Sequence, residues 1–303
     1  MSLEGLITAM VTPLKENNQG IDYNGTVNLL SFQEKIGIDG LFLLGTNGEA
    51  YMLKENEKID FVDTIIKNKP SNLPVYVGTG GNSTIDTIKF SQIISTKNID
   101  AISVITPYFA KLSQEELFAH YELIANNVDK PVILYNIPNR TGNDFSDELI
   151  KELAKNKNII AIKDSSGNLE KIKSYISITK DLDFKVLCGS DGLMVEALKA
   201  GCAGSISGTS NVIGKLNKMI FNAYNTGNLS EANLLHNHIQ KFRSINKKVT
   251  EPAVIKFALK FIGIDVGNPR LPIQPVSSSL KIEIKEMMEY YINLQDTLKN
   301  QLF

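Results

Sequence analysis

The chain has 303 residues, 43% hydrophobic and 21% charged, with a formal net charge of -1. That is enough chain for a large core, and the balanced charge excludes an electrostatic nucleic-acid binder. No basic region precedes an apolar core at the N-terminus and no apolar stretch is bilayer-length, so neither a signal peptide nor a membrane partner is expected.

Short apolar runs alternate with helical patterns. Gly5–Val11 reads as a first strand, stopped by Thr12-Pro13, and a helix follows over Tyr23–Lys35. Gly40–Leu44 is a second strand ending in Gly45-Thr46-Asn47-Gly48-Glu49, with an amphipathic helix over Lys54–Lys67. Pro74–Val77 is a third, followed by Gly78-Thr79-Gly80-Gly81-Asn82 and a helix to Ser95 that Ser83 or Thr84 can cap. Ala101–Ile105 is a fourth, followed by Thr106-Pro107-Tyr108-Phe109 and a capping box at Ser113–Glu116. Pro131–Tyr135 is a fifth, followed by a polar loop to Gly142 and a helix that opens at Ser146.

The sixth strand, Ile159–Lys163, is an unbroken run of strand formers that ends in a lysine. Such a run reads as a strand buried on both faces. A cation at its end costs free energy unless it is paired, used, or snorkels to solvent. Phe184–Cys188 and Cys202–Ser207 complete a set of eight strands. The rest is helical: Ile213–Tyr224, Ser230–Lys247, Glu251–Ile262 and Ser279–Lys299. Eight strand-helix units in series predict a closed (β/α)8 TIM barrel over residues 1–226, with a C-terminal helical appendage over 227–303. The run Gly78-Thr79-Gly80-Gly81 lacks the third glycine of a dinucleotide fingerprint, and no phosphate-binding loop is present.

In such a barrel the loops after the strands open on one face, which carries the active site. Thr46, Tyr108, Tyr135 and Lys163 all fall at strand ends. A lysine beside tyrosines and a threonine points to amine chemistry. A neutral lysine attacks a ketone and forms an imine, which withdraws electrons from the adjacent carbon. A tyrosine hydroxyl can carry the protons. Burial is what favours a neutral amine, because a low-dielectric site disfavours the charged form. His236 and His238 are two apart on a predicted helix and do not form a metal pair, and His120 reads as a surface or boundary residue. Cys188 and Cys202 read as buried thiols, too few for a disulfide framework or a zinc site. No metal and no organic cofactor is expected.

Five motifs, Gly45–Glu49, Thr106-Pro107-Tyr108, Tyr135-Asn136-Ile137-Pro138, Arg140-Thr141-Gly142 and Ile162-Lys163-Asp164, make the chain resemble the dihydrodipicolinate synthase / N-acetylneuraminate lyase family of Schiff-base pyruvate aldolases. The resemblance implies that Lys163 forms the imine with pyruvate and that Tyr135 transfers protons. It implies that the Thr46 hydroxyl links Tyr135 to solvent or substrate. The backbone around Thr46-Asn47 would hold the pyruvate carboxylate, and the backbone carbonyl of Ile206 would lie near the keto acid. Tyr108 and Arg140 are further implied substrate-site residues, with Arg140 gripping the carboxylate of aspartate semialdehyde. The resemblance also implies a homotetramer, a dimer of dimers, and the two thiols fit a reducing cytoplasm.

Two departures bear on the substrate. Synthases of the family usually carry two tyrosines where this chain has Tyr108-Phe109, and two threonines where it has Thr46-Asn47. These narrowly favour a catabolic or divergent aldolase/lyase that joins pyruvate to, or releases it from, an aldehyde. The alternatives are 4-hydroxy-tetrahydrodipicolinate synthase itself, which the presence of Arg140 supports, and a non-catalytic keto-acid-binding barrel.

Overall fold

The computed structural model describes residues 3–16, 20–298 and 302–303. Among them the chain runs β1 (Gly5–Ala9), α1 (Tyr23–Ile36), β2 (Gly40–Leu43), α2 (Glu55–Asn68), β3 (Val75–Gly78), α3 (Thr84–Ser95), β4 (Ala101–Ile105) and α4 (Gln114–Ala125). It continues through β5 (Val132–Asn136), α5 (Pro138–Thr141), α6 (Asp147–Leu153), β6 (Ile159–Asp164), α7 (Leu169–Thr179), β7 (Lys185–Cys188), α8 (Met194–Ala200) and β8 (Gly204–Ser207). It ends in α9 (Ser210–Asn225), α10 (Leu229–Asn246), α11 (Ala253–Phe261) and α12 (Ser278–Leu298).

The strands pair in sequence order, β1 to β8, as a closed barrel. Every residue of β2, β5 and β8 is buried. That explains the apolar runs of β2 and of β5 up to Tyr135: a parallel strand with a packed interior on one side and helices on the other exposes neither face. Side-chain caps fix where the helices begin. Asp22, Ser83, Ser113, Ser146 and Asn168 each accept a backbone N–H from the first turn of the helix that follows.

The chain divides into two compact units. One comprises residues 1–5 and 74–206. In it β4 to β8 form a continuous parallel ladder, and the Tyr121 hydroxyl of α4 donates to the Val104 carbonyl at 3.2 Å. The other comprises residues 6–73 and 207–303. There β1 pairs with β2, and Asn211 at the start of α9 donates to the Ala9 carbonyl while accepting from the Val11 N–H. In α12, Tyr291 accepts from the Phe242 N–H and donates to the His238 carbonyl, which ties α12 to α10.

The expected elements form, with shifted ends. The first strand stops at Ala9 rather than Val11, because the chain there is held by the Asn211 side chain instead of a ladder. The helix expected from Glu251 begins at Ala253, since Pro252 disfavours helical backbone in the residue before it. The helix expected from Ile213 begins at Ser210, whose N–H donates to Ser207 Oγ at 3.1 Å, and Ile213 breaks its regularity with a φ of -105°. Lys299, the expected end of the last helix, lies outside the described residues.

His120 departs most from its expected place. It is 5% exposed in α4, with Nδ1 2.8 Å from the Thr84 hydroxyl and Nε2 buried without a hydrogen-bond partner. Burial pushes its pKa down to about 4 from an ordinary 6.5. The unfolded chain therefore binds more protons than the native one between these values. The contribution of His120 to stability is fully present above pH 6.5 and is lost as pH falls toward 4. The difference amounts to about 3 kcal/mol. Urea denaturation of wild type and His120→Gln between pH 4 and 7 is expected to show wild-type stability falling more steeply below pH 6.5. Parallel curves would rule out a buried neutral imidazole.

Candidate active site

Neighbouring residues of a strand point to opposite faces, so each rung of a parallel pair has an inner and an outer partner set. At the end of β5 and β6, Tyr135 stands opposite Lys163, and Asn136 opposite Asp164. Tyr135 and Lys163 are each 4% exposed. The Lys163 Nζ lies 4.1 Å from the centroid of the Tyr135 ring. The electron-rich face of the phenol therefore attracts the amine whenever it is charged.

The residues that follow them fasten the two strands together. Asn136 Nδ2 donates to Asp164 Oδ2 and to Asp144 Oδ1, both at 2.8 Å. Asp164 also accepts from the Ser166 N–H at 3.0 Å and from its hydroxyl at 2.5 Å. Lys171 closes the chain by donating to Asp144 Oδ2 at 2.5 Å and the Phe145 carbonyl at 3.0 Å. Burial raises the Asp164 carboxyl above the usual carboxylate range, while the bonds from Ser166 and Asn136 and the charge of Lys171 pull it back. After β7, the Gly189 N–H donates to the Asp164 carbonyl at 2.7 Å. A Cβ on Gly189 would lie 2.1 Å from Ser165 Oγ and 3.0 Å from Lys163 Cε, so only glycine lets this backbone pass beside the lysine stem.

Tyr108 and Arg140 sit on the loops after β4 and β5. Arg140 is exposed on α5, a single turn opened by Pro138 and closed by Gly142 at φ 78°. The two loops are sewn together. Thr106 donates to Thr141 Oγ1 at 2.8 Å, and Asn143 Nδ2 donates to the carbonyls of Pro107 and Ala110 at 2.8 and 2.7 Å. The Tyr108 N–H donates to Asn82 Oδ1 at 2.8 Å, which adds the loop after β3. Tyr108 is half-buried, whereas the neighbouring Phe109 is fully exposed at a φ of 80°. A bulky residue in the left-handed region is strained. Ile206 is 1% exposed in β8.

In the second unit, Thr46 and Asn47 lie half-buried in the turn after β2. Leu44 and Glu49 bracket that turn with φ values of 55° and 56°. The Thr12 hydroxyl donates to the Gly48 carbonyl at 2.7 Å. The Asn47 amide packs on Gly208, where a Cβ would lie 2.6 Å from Nδ2, and Asn47 Oδ1 is buried without a hydrogen-bond partner.

The motifs point to the inner residues of the rung, Tyr135 and Lys163, and give the outer ones no role. Asn136 and Asp164 stand inside the quoted motifs, and strand alternation sets them on the face opposite Tyr135 and Lys163. Among the described residues, no group of three or more His, Cys, Asp or Glu side chains could hold a metal ion. No described helix is long and apolar enough to cross a membrane.

The family model for the dihydrodipicolinate synthetase family matches residues 2–290. A 4-hydroxy-tetrahydrodipicolinate synthase of Archaeoglobus fulgidus is 37% identical over 286 residues, covering 94% of this chain and 97% of that protein. The 4-hydroxy-tetrahydrodipicolinate synthase of Methylacidiphilum fumariolicum SolV superposes with a TM-score of 0.93 at 28% identity, covering 98% of each chain. A dihydrodipicolinate synthase of Acinetobacter baumannii complexed with pyruvate superposes with a TM-score of 0.91 at 30% identity, covering 95% of this chain and 98% of that one.

The Asn136 clamp has a direct test. Asn136→Leu keeps the volume and removes the donors to two carboxylates, one of them fully buried. Urea denaturation is expected to show a loss of about 3 kcal/mol. A loss below about 0.5 kcal/mol, the range of an ordinary surface substitution, would show that the clamp does not hold the strands.

Proposed function

This chain belongs to the dihydrodipicolinate synthetase family, and on that premise we propose that it condenses pyruvate with aspartate semialdehyde through an imine on Lys163. The observation that carries the reading is the buried rung of Lys163 and Tyr135, with the amine 4.1 Å from the ring centroid. The synthase takes precedence over the divergent aldolase that Phe109 and Asn47 favoured. Relatives that carry the synthase name are about as similar as 37% identical and cover nearly the whole chain. Arg140 agrees with them.

In this reading neutral Lys163 attacks the ketone carbon of pyruvate and the carbinolamine loses water. Tyr135, held beside the amine by the β5–β6 register, carries protons to and from the substrate oxygen. The protonated imine draws electrons from the methyl carbon. That carbon loses a proton, becomes an enamine and attacks the aldehyde. The Thr46 hydroxyl links Tyr135 to solvent or substrate, and the turn backbone at Thr46-Asn47 receives the pyruvate carboxylate. Main-chain N–H groups in such a turn suit an anion. The Ile206 carbonyl faces the keto acid, and the Arg140 guanidinium offers a fork to the second carboxylate. Tyr108 lines the aldehyde side.

The reading extends to assembly and place. Residues 1–226 form the catalytic barrel and residues 227–303 its helical appendage. The strained, fully exposed Phe109 supports a tight dimer that covers the ring, within a homotetramer as is usual in the family. Two free, buried thiols support a reducing cytoplasm.

Peptide mass after incubation with pyruvate and borohydride is expected to place a carboxyethyl group on Lys163. An adduct elsewhere, or none on folded protein, would sink the imine. Lys163→Met is expected to lower kcat by about 10⁴-fold. Turnover of pyruvate with aspartate semialdehyde at about 1 s⁻¹ or faster separates the synthase from a divergent aldolase. Tight pyruvate binding without turnover on any aldehyde would favour a keto-acid-binding barrel instead. Arg140→Met is expected to raise KM for aspartate semialdehyde about tenfold or more, because a charge-assisted bond to the substrate is lost. An unchanged KM would remove Arg140 from the site.

A further inference from the structure

Glu49 and Lys256 form an ion pair in the second unit at 0% and 1% side-chain exposure, 2.7 Å apart. Glu49 ends the turn after β2, and Lys256 lies on α11. Glu49 Oε2 has the ammonium beside it but no well-aligned donor. Lys256 Nζ also donates to the Asn268 carbonyl at 3.1 Å. The other Glu49 oxygen accepts from the Arg270 N–H at 2.5 Å. The Arg270 guanidinium then forks onto Glu57 of α2, with bonds of 3.0 and 2.8 Å. Glu57 in turn accepts the Lys54 N–H at 2.8 Å, at the N-terminus of α2. Lys256 and Arg270 thus grip both ends of the connection from β2 to α2.

Stability alone is a weak reason to keep such a pair. Taking two charges out of water is expensive, and well-packed apolar replacements are often as stable. Glu49 is also strained, at a φ of 56°. Such strain persists where the surroundings over-determine it, and it clusters at functional turns. The Glu49 N–H donates to the Thr46 carbonyl at 3.1 Å, so fixing Glu49 fixes the turn that carries Thr46 and Asn47.

We propose that Lys256 and Arg270 are positioning residues, which hold the Glu49 turn so that its backbone N–H groups meet the pyruvate carboxylate. The proposal rests on the reading above that this turn binds that carboxylate. Neither residue touches substrate. Both act through Glu49 and Glu57, and they make carboxylate affinity depend on α11 and the segment after it. A ligand site is only as precise as the groups that support it.

Steady-state kinetics and borohydride trapping at varied pyruvate test this. Lys256→Met is expected to raise KM for pyruvate about tenfold while kcat stays within about threefold. The half-saturation of trapping should shift by the same factor, and KM for aspartate semialdehyde should hold. The double variant Glu49→Gln, Lys256→Gln keeps the contact without the charges and should recover most of the pyruvate KM. A folded Lys256→Met with unchanged pyruvate KM overturns the proposal. If Lys256→Met does not fold, Arg270→Lys decides, because it keeps the charge and loses the fork. Its pyruvate KM should rise about threefold, and an unchanged value overturns the proposal equally. Wild-type protein that forms no pyruvate adduct on Lys163 would sink the functional reading and this proposal together. An adduct in wild type with an unmoved KM in the variants would sink the positioning role alone.

Discussion

An amine at the end of a buried parallel strand is the constraint on which the rest of this structure depends. The lysine stem leaves the sixth strand with 4% of its surface exposed, where solvation of a charge is poor. Three features surround the amine and its strand. The phenol of Tyr135 presents its ring face to the amine. Gly189 lets backbone pass within contact of the stem. The outer partners of the same rung, Asn136 and Asp164, lock the two strands by a hydrogen bond of 2.8 Å. The inner face is then free to hold reactive groups because the outer face carries the cohesion.

The same division appears in the turn after β2. Apolar packing fixes where the strand ends, but it cannot orient a polar turn with left-handed residues at both of its ends. Orientation comes from polar groups brought in from distant sequence. Arg270 meets Glu49 across 221 residues, and meets Glu57 across 213. Hydrophobic burial is non-directional, whereas a fork of hydrogen bonds selects one geometry. The buried charges lie where direction matters more than net stability.

This division also explains what could be read in advance. The strands were legible because burial on both faces leaves unbroken apolar runs, and Lys163 was legible because it interrupts one. Tyr135 and Thr46 followed from their places at strand ends, whereas Arg140 entered only through the family resemblance. The partnership of Glu49 with Lys256 was not legible, since no period or motif joins residues so far apart. His120 was misplaced for a different reason. Leu117, Tyr121 and Ile124 place it on the buried face of α4, and its polar ring was given more weight than that spacing. The α5 turn escaped notice because four residues are too few for a helical period to show.

The choice between branches of the family turned on single residues, and the structure explains why these were weak guides. Phe109 lacks the hydroxyl of the usual tyrosine, yet its backbone keeps a left-handed φ of 80° that phenylalanine has no local reason to adopt. Its ring stands fully exposed on the chain. The chain thus holds an aromatic ring out to solvent at a cost in backbone strain. On the synthase reading, proton transfer then falls to Tyr135 and Thr46, and residue 109 contributes surface alone. A missing functional group therefore argues for a changed relay before it argues for a changed substrate.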